Sequence, residues 1–178
     1  VTEEFYALGK LVQLGLGTAN YYGNTTLCMS TAVAGYKRSF GSDGPPGAYE
    51  DLESADVVML IGANIADNHP ILCHRLEANQ NATLIVVDPR VTKTAMMADL
   101  HLPVRPRSDL ALVNGLINVV IENDLIDRRY IEQHTTGFEV MRESVREYTL
   151  DRVAEITGLT PEVIHRTAWL YARAKKAF

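Results

Sequence analysis

The chain has 178 residues, 47% of them apolar and 22% charged, a balance that fills a core and excludes a disordered tract. Lys and Arg number 17 against 22 Asp and Glu, for a net charge of -5, so no basic excess exists to displace counterions from a nucleic acid. No apolar run reaches the roughly 20 residues that span a bilayer, and two cysteines, Cys28 and Cys73, do not make a disulfide scaffold. Neither nucleic acid nor membrane is expected as a partner. Val1 opens the chain without Met or a leader-like stretch, and Phe178 closes it directly after a patterned helix. It reads as a segment of something larger.

From Glu4 to Leu14 the residues Phe5, Leu8, Leu11, Val12 and Leu14 recur at helical spacing. A turn-rich stretch, 15–26, follows with Gly15, Gly17, Asn20, Gly23 and Asn24, and Cys28 closes it. Ser30 to Tyr36 reads as a short helix, and residues 41–47 hold too many backbone breakers for anything regular. The pattern then becomes periodic. Asp56 to Ile61 is a continuously apolar run ended by Gly62, the signature of a strand buried on both faces. His69 to Asn79 is expected to be helical with Ile71, Leu72 and Leu76 inward. Thr83 to Val87 is a second buried strand, ended by Asp88-Pro89. Thr92 to Asp99 reads as a short helix, His101 to Val104 as a weaker third strand, and Leu110 to Ile121 as a long apolar helix. Leu150 to Ile156 forms a small helix that Thr149 caps and Gly158 stops. The last helix starts at Thr160-Pro161 and is expected to reach about Ala177, with Val163, Ile164, Leu170, Tyr171 and Ala174 inward.

Strand, helix, strand, helix, strand, helix implies an α/β fold with an open, mainly parallel sheet flanked by helices. Ligands of such sheets bind outside the carboxyl ends of the strands. Those ends are Gly62-Ala63-Asn64, Asp88-Pro89-Arg90 and Arg107-Ser108-Asp109. Gly62 lets a backbone approach a phosphate, Asn64 and Asp88 can bond ribose or base, and Arg90 and Arg107 supply positive charge. Ser108 precedes a helix whose free N–H groups favour an anion. Taken singly, each residue has an ordinary reading as strand exit, cap or turn. Their convergence on one sheet edge points to a nucleotide site. The G-x-G-x-x-G fingerprint is absent, which argues against a standard NAD site.

Cys28 lies between a glycine- and asparagine-rich loop and the start of a helix, where the helix dipole favours a thiolate suited to nucleophile or soft-metal work. A buried inert thiol is the ordinary alternative for a lone cysteine. His69 and Cys73 stand at i, i+4, but two ligands do not make a metal site, so Cys73 is expected in the core. Met96 and Met97 are expected to pack, and His101, His134 and His165 carry no partner pattern.

The stretch Asn24-Thr-Thr-Leu-Cys-Met-Ser-Thr-Ala-Val-Ala-Gly-Tyr-Lys-Arg-Ser-Phe-Gly41 resembles the molybdenum-binding segment of the molybdopterin oxidoreductase family. Within that family it is most similar to the assimilatory, cytoplasmic nitrate reductases, with the periplasmic enzymes as near relatives. The likeness continues through Ile61-Gly-Ala-Asn-Ile-Ala-Asp-Asn-His-Pro70, Val87-Asp-Pro-Arg90 and Arg107-Ser-Asp109, and covers nearly the whole chain. It implies a Rossmann-like fold of the formate dehydrogenase/dimethyl sulfoxide reductase type. Residues 1–54 would be a partial segment with the metal-ligand loop, and 55–178 an α/β domain for one guanosine end of bis-molybdopterin guanine dinucleotide.

The resemblance makes Cys28 the thiolate ligand to molybdenum, followed by Met29 as in nitrate reductases. It makes Asn24, Gly62, Ala63, Asn64, Asp67, Asp88, Arg90, Thr92, Arg107, Ser108 and Asp109 cofactor-contacting residues. Thr26 stands where the family usually has Arg, which alters local polar contacts but not the ligand. The implied activity is reduction of nitrate to nitrite, with partners in the remaining domains of a parent enzyme and an electron donor. The family's iron–sulfur (4Fe-4S) cysteines have no counterpart, since no C-x-x-C-x-x-x-C run occurs. A formate dehydrogenase-type enzyme and a cofactor-free electron-wiring subunit of the same fold are the alternatives. The location implied is cytoplasmic, or periplasmic for the near relatives.

Overall fold

A computed structural model describes residues 2–44 and 46–178; Val1, Pro45 of the breaker loop and the side chain of Thr26 lie outside the described parts. The chain divides into two compact units, Val1–Pro46 and Gly47–Phe178.

The first unit is helical. Helix α1 spans Thr2–Lys10 and continues into a π-helical turn, Leu11–Gly15, which takes up the rest of the expected helix. After the turn-rich stretch come a one-turn helix α2, Thr25–Cys28, and helix α3, Ser30–Phe40. Helix α3 runs past the expected Tyr36 and stops at Gly41, whose φ of 76° takes the left-handed conformation that terminates helices.

The second unit begins with α4, Tyr49–Ser54, unforeseen from the sequence because its six residues are mostly polar. Its first turn is held by the Asp51 carboxylate, which accepts from the Ala48 N–H at 2.7 Å. Leu52 of α4 is buried with Ala55 and Val58, so residues 47–54 pack with the sheet that follows. Strand β1, Val57–Ile61, leads through the one-turn α5, Ile65–Asn68, to α6, Pro70–Ala78. Strand β2, Thr83–Val87, is followed by α7, Lys93–Met96, and by β3, Leu100–Leu102. The remainder is helical: α8 (Asp109–Glu122), α9 (Arg128–His134), α10 (Phe138–Val145), α11 (Leu150–Thr157) and α12 (Pro161–Arg173).

The sheet is parallel throughout, in the order β1-β2-β3, with Val57 opposite Thr83, Ile61 opposite Val87 and Val87 opposite Leu102. Side chains alternate across it, as the two-residue period of a strand requires. Val57, Ile85, Val87 and Leu102 face a core with Leu112, Leu116 and Val119 of α8, Val153 of α11, and Ile164 and Ala168 of α12. Val58, Leu60, Leu84 and Val86 face the opposite layer, with Leu52 of α4, Cys73 and Leu76 of α6, and Ala95 of α7. Continuous apolar strands are thus explained: both faces are covered.

Two expectations are corrected. The inward side of α6 is Leu72, Cys73 and Leu76, whereas Ile71 is 74% exposed, because the row facing the sheet repeats every three to four residues and Ile71 falls outside it. Helix α12 stops at Arg173, and Ala174 turns extended with ψ 140°. The tail then runs beside β1: Phe178 N–H donates to Val57 O at 2.9 Å, and Met59 N–H to Phe178 O at 2.8 Å. The Asp56 carboxylate accepts the N–H groups of Lys175 and Lys176, both at 3.1 Å, which anchors this third pairing. Strand β1 therefore has neighbours on both sides, and the direction of winding reverses there.

Candidate functional site

The carboxyl ends of the strands are level. Gly62 N–H donates to Val87 O at 2.8 Å, and Asp88 N–H to Leu102 O at 3.2 Å. Open α/β sheets hold ligands outside the carboxyl ends of their strands. Three loops follow the strands at that edge.

After β1 the chain turns at Gly62, whose φ of 63° is in the left-handed region, and no atom lies within 4 Å of where a Cβ would sit. The backbone at Gly62 and Ala63 is open to close approach. Beyond it, a polar chain ties this loop to α7. Ala66 N–H donates to Thr94 Oγ1 at 3.0 Å, Thr94 Oγ1 donates to Asn64 Oδ1 at 3.0 Å, and Asn64 Nδ2 donates to Asp67 Oδ2 at 2.7 Å. Lys93 Nζ closes it on Asp67 Oδ1 at 2.5 Å. The Lys93 ammonium and then the Asn64 amide hold the Asp67 carboxyl below the ordinary carboxylate range, and Asp67 in turn raises Lys93. Lys93 and Thr94 have no sequence signal, because the bond from Thr94 to Asn64 spans 30 positions.

After β2, Asp88 is buried, 5% exposed, and Oδ1 accepts the Arg90 N–H at 2.8 Å. His101 Nε2 lies 2.8 Å from the Asp88 carbonyl and fastens the same strand end. Thr92 is also buried, and its hydroxyl accepts from Ala95 N–H at 3.1 Å as the cap of α7. The Arg90 side chain is 77% exposed.

After β3, Arg107 adopts φ 70°, a strained value for a residue with a side chain. Ser108 is buried, and its hydroxyl donates to Arg105 O at 2.6 Å instead of capping α8. The hydroxyl thus clamps the loop and leaves the first N–H groups of α8 without a bond from it. Asp109 is exposed in the first turn of α8.

In the first unit, Cys28 is exposed. It closes α2 and directly precedes Met29, the N-terminal cap position of α3. The donor at hand is Asn24, whose Nδ2 lies 4.0 Å from Cys28 Sγ, one helical turn away. Met29 links α2 to α3 with φ -136° and ψ 12°. Cys73, by contrast, is buried, with Sγ 4.0 Å from Met97 Sδ, and burial followed by the Glu77 charge pushes its thiol up. Met97 at 37% and Met96 at 69% exposure are less packed than expected. No group of three or more His, Cys, Asp or Glu positioned to hold a metal occurs among the described residues.

Taken unit by unit, the donors suit the chemistry of a molybdenum–pterin: the first unit offers an exposed soft thiol, and the second an open glycine backbone, amide and carboxylate groups at level strand ends, and two arginines. A family model described as molybdopterin oxidoreductase matches residues 1–170. The nitrate reductase of Synechocystis sp. (strain ATCC 27184 / PCC 6803 / Kazusa) is 44% identical over 98% of this chain and 25% of its own. The F420-dependent formate dehydrogenase subunit alpha of Methanocaldococcus jannaschii is 36% identical over 98% of this chain and 26% of its own. The solved acetylene hydratase from Pelobacter acetylenicus superposes with a TM-score of 0.78 at 33% identity, covering 97% of this chain and 24% of that one. The chain spans about a quarter of the length of these relatives. On the match over residues 1–170, this chain belongs to the molybdopterin oxidoreductase family.

Proposed function

We propose that this chain is the central cofactor-binding part of a molybdenum-dependent nitrate reductase, which converts nitrate to nitrite with electrons from a 4Fe-4S cluster elsewhere in the enzyme. The observation that carries the substrate is the higher identity to a nitrate reductase, 44%, than to a formate dehydrogenase subunit, 36%. The family's cofactor is a molybdenum–pterin; the bis-guanine dinucleotide form is part of this proposal. When bound, that group supplies the oxygen-atom and electron transfer.

The chain's own residues bind and orient. Cys28 would give the metal a soft sulfur donor, with the Asn24 amide donating to that sulfur, and Met29 follows it in the chain as in nitrate reductases. Gly62 and Ala63 admit a phosphate against the backbone. Asn64, Asp67, Asp88 and Thr92 shape the sugar's surroundings, while Arg90 and Arg107 offset phosphate charge. Ser108 holds the loop from which Asp109 accepts the paired N–H donors of guanine. The strain at Arg107 supports the reading, since such backbone outliers gather at ligand clamps. Remaining domains would supply the second cofactor half-site and the electron entry. A cytoplasmic location comes with the reading, and a secretory leader on the full-length gene would overturn it.

The test is turnover by the full-length enzyme, normalised to molybdenum content. Nitrate-dependent oxidation of reduced viologen is the expected result. Formate-dependent dye reduction without nitrate turnover would favour the formate dehydrogenase alternative, to which the M. jannaschii likeness gives its weight. A full-length protein free of molybdenum would favour the electron-wiring subunit.

A further inference from the structure

Thr94 is wholly buried, and its hydroxyl has one proton to give. That oxygen already accepts the Ala66 N–H at 3.0 Å, and its proton goes to Asn64 Oδ1, also at 3.0 Å. On the other side of the amide stands the Asp67 carboxylate, which when ionised can only accept. Lys93 keeps it ionised. A flipped Asn64 would set its oxygen against that carboxylate and leave the Thr94 proton facing an N–H₂ group. Both neighbours therefore impose the same orientation. Asn64 spends one Nδ2 hydrogen on Asp67, and the second has no partner among the described residues.

We infer that Thr94 is a positioning residue: its hydroxyl locks the Asn64 amide so that this strand end offers an N–H donor to an acceptor oxygen on the phosphate or sugar of the bound dinucleotide. The inference rests on the proposed guanine dinucleotide site and adds to it the polarity of recognition after β1 and a residue outside the contacting segments. Thr94 touches no ligand and acts through Asn64.

The experiment is a double-mutant cycle in the full-length enzyme, with Thr94→Val, Asn64→Ala and the pair. The rate of guanine loss on dialysis is followed as GMP released by acid hydrolysis of the retained cofactor, alongside the melting temperature of each cofactor-free protein. Thr94→Val should lose guanine roughly tenfold faster, as expected for one ordinary hydrogen bond. Thr94→Ser should return to within about twofold of wild type, because it keeps the hydroxyl. The double variant should be no faster than Asn64→Ala alone, since Thr94 acts only through the amide that Asn64→Ala removes. Should Thr94→Val fail to accumulate, Thr94→Ala takes its place in the cycle. Wild-type retention in the hydroxyl-free variant, effects that multiply in the double, or failure of Thr94→Ser to rescue would each overturn the inference. A wild-type enzyme without guanine would overturn the underlying site reading, and the inference with it, and this is seen before any variant is made.

Discussion

Cys28 is exposed within reach of the Asn24 amide, whereas Cys73 is buried under α6 against Met97. The two thiols should therefore respond differently to one substitution. In the full-length enzyme Cys28→Ser should fold but abolish most nitrate turnover per molybdenum, because a hard hydroxyl replaces a soft thiolate on the metal. Cys73→Ser should lower the melting temperature modestly and leave turnover near wild type. Reduced-viologen assays of the two variants side by side check this, and full activity in Cys28→Ser would remove the ligand role. Asp109→Ala should reduce the guanine content of the purified enzyme; unchanged content would sink the guanine assignment. The Asp67–Lys93 pair predicts a pH window. Asp67 is depressed below its ordinary value of 3.8, so its contribution is full above that value and lost as pH falls through the lower folded value. Lys93 is raised above 10.5, so its contribution is full below that value and lost as pH rises through the higher folded one. The melting-temperature gap between wild type and Asp67→Asn should be flat across neutral pH, close at both extremes, and shrink with salt because both groups are exposed.

Packing between α8 and α11 hinges on the absence of a side chain. A Cβ built on Gly115 would lie 2.6 Å from Val153 Cγ2, and Val153 is wholly buried. Gly115→Ala should destabilise by about 1–3 kcal/mol, the usual cost of overpacking. Denaturant titration should show a lower midpoint with an unchanged slope; an unchanged midpoint would mean that α11 yields freely. Strands β1 and β2 and helix α8 were legible because long apolar runs bounded by Gly62, Asp88-Pro89 and Ser108 admit few other readings. Helices α4, α9 and α10 were not, being short and largely polar, and held by particular bonds. Asp127 accepting from Tyr130 N–H at 2.9 Å starts α9, and Gly137 at φ 80° precedes α10. The end of α12 was misread for a related reason: Ala174 to Ala177 is compatible with helix, and only the Asp56 carboxylate and the free edge of β1 draw it into the sheet.

Across the molecule, every residue that counts as buried lies in the unit Gly47–Phe178, and no side chain of described exposure in residues 2–44 and 46 is buried. Phe5, Tyr6, Leu14, Leu16, Tyr22 and Leu27 are each at least 60% exposed. A fragment comprising residues 47–178 should therefore keep the cooperative thermal transition of the whole chain, while amides in residues 2–44 exchange fast. A fragment that melts without cooperativity would show that the core needs the first unit. The sequence by itself determined the α/β class and the two buried strands with their exits, and it singled out Cys28, Gly62, Asn64, Asp88, Arg90 and Arg107 as candidates, because periodicity and turn chemistry are local. Only the tertiary structure decided that the strand ends are level, that the tail pairs beside β1, that the Ser108 hydroxyl is spent on Arg105, and that Thr94 and Lys93 hold Asn64 and Asp67. Those contacts join residues separated along the chain, and which polar groups meet there depends on how helices and strands stack, which no local pattern encodes.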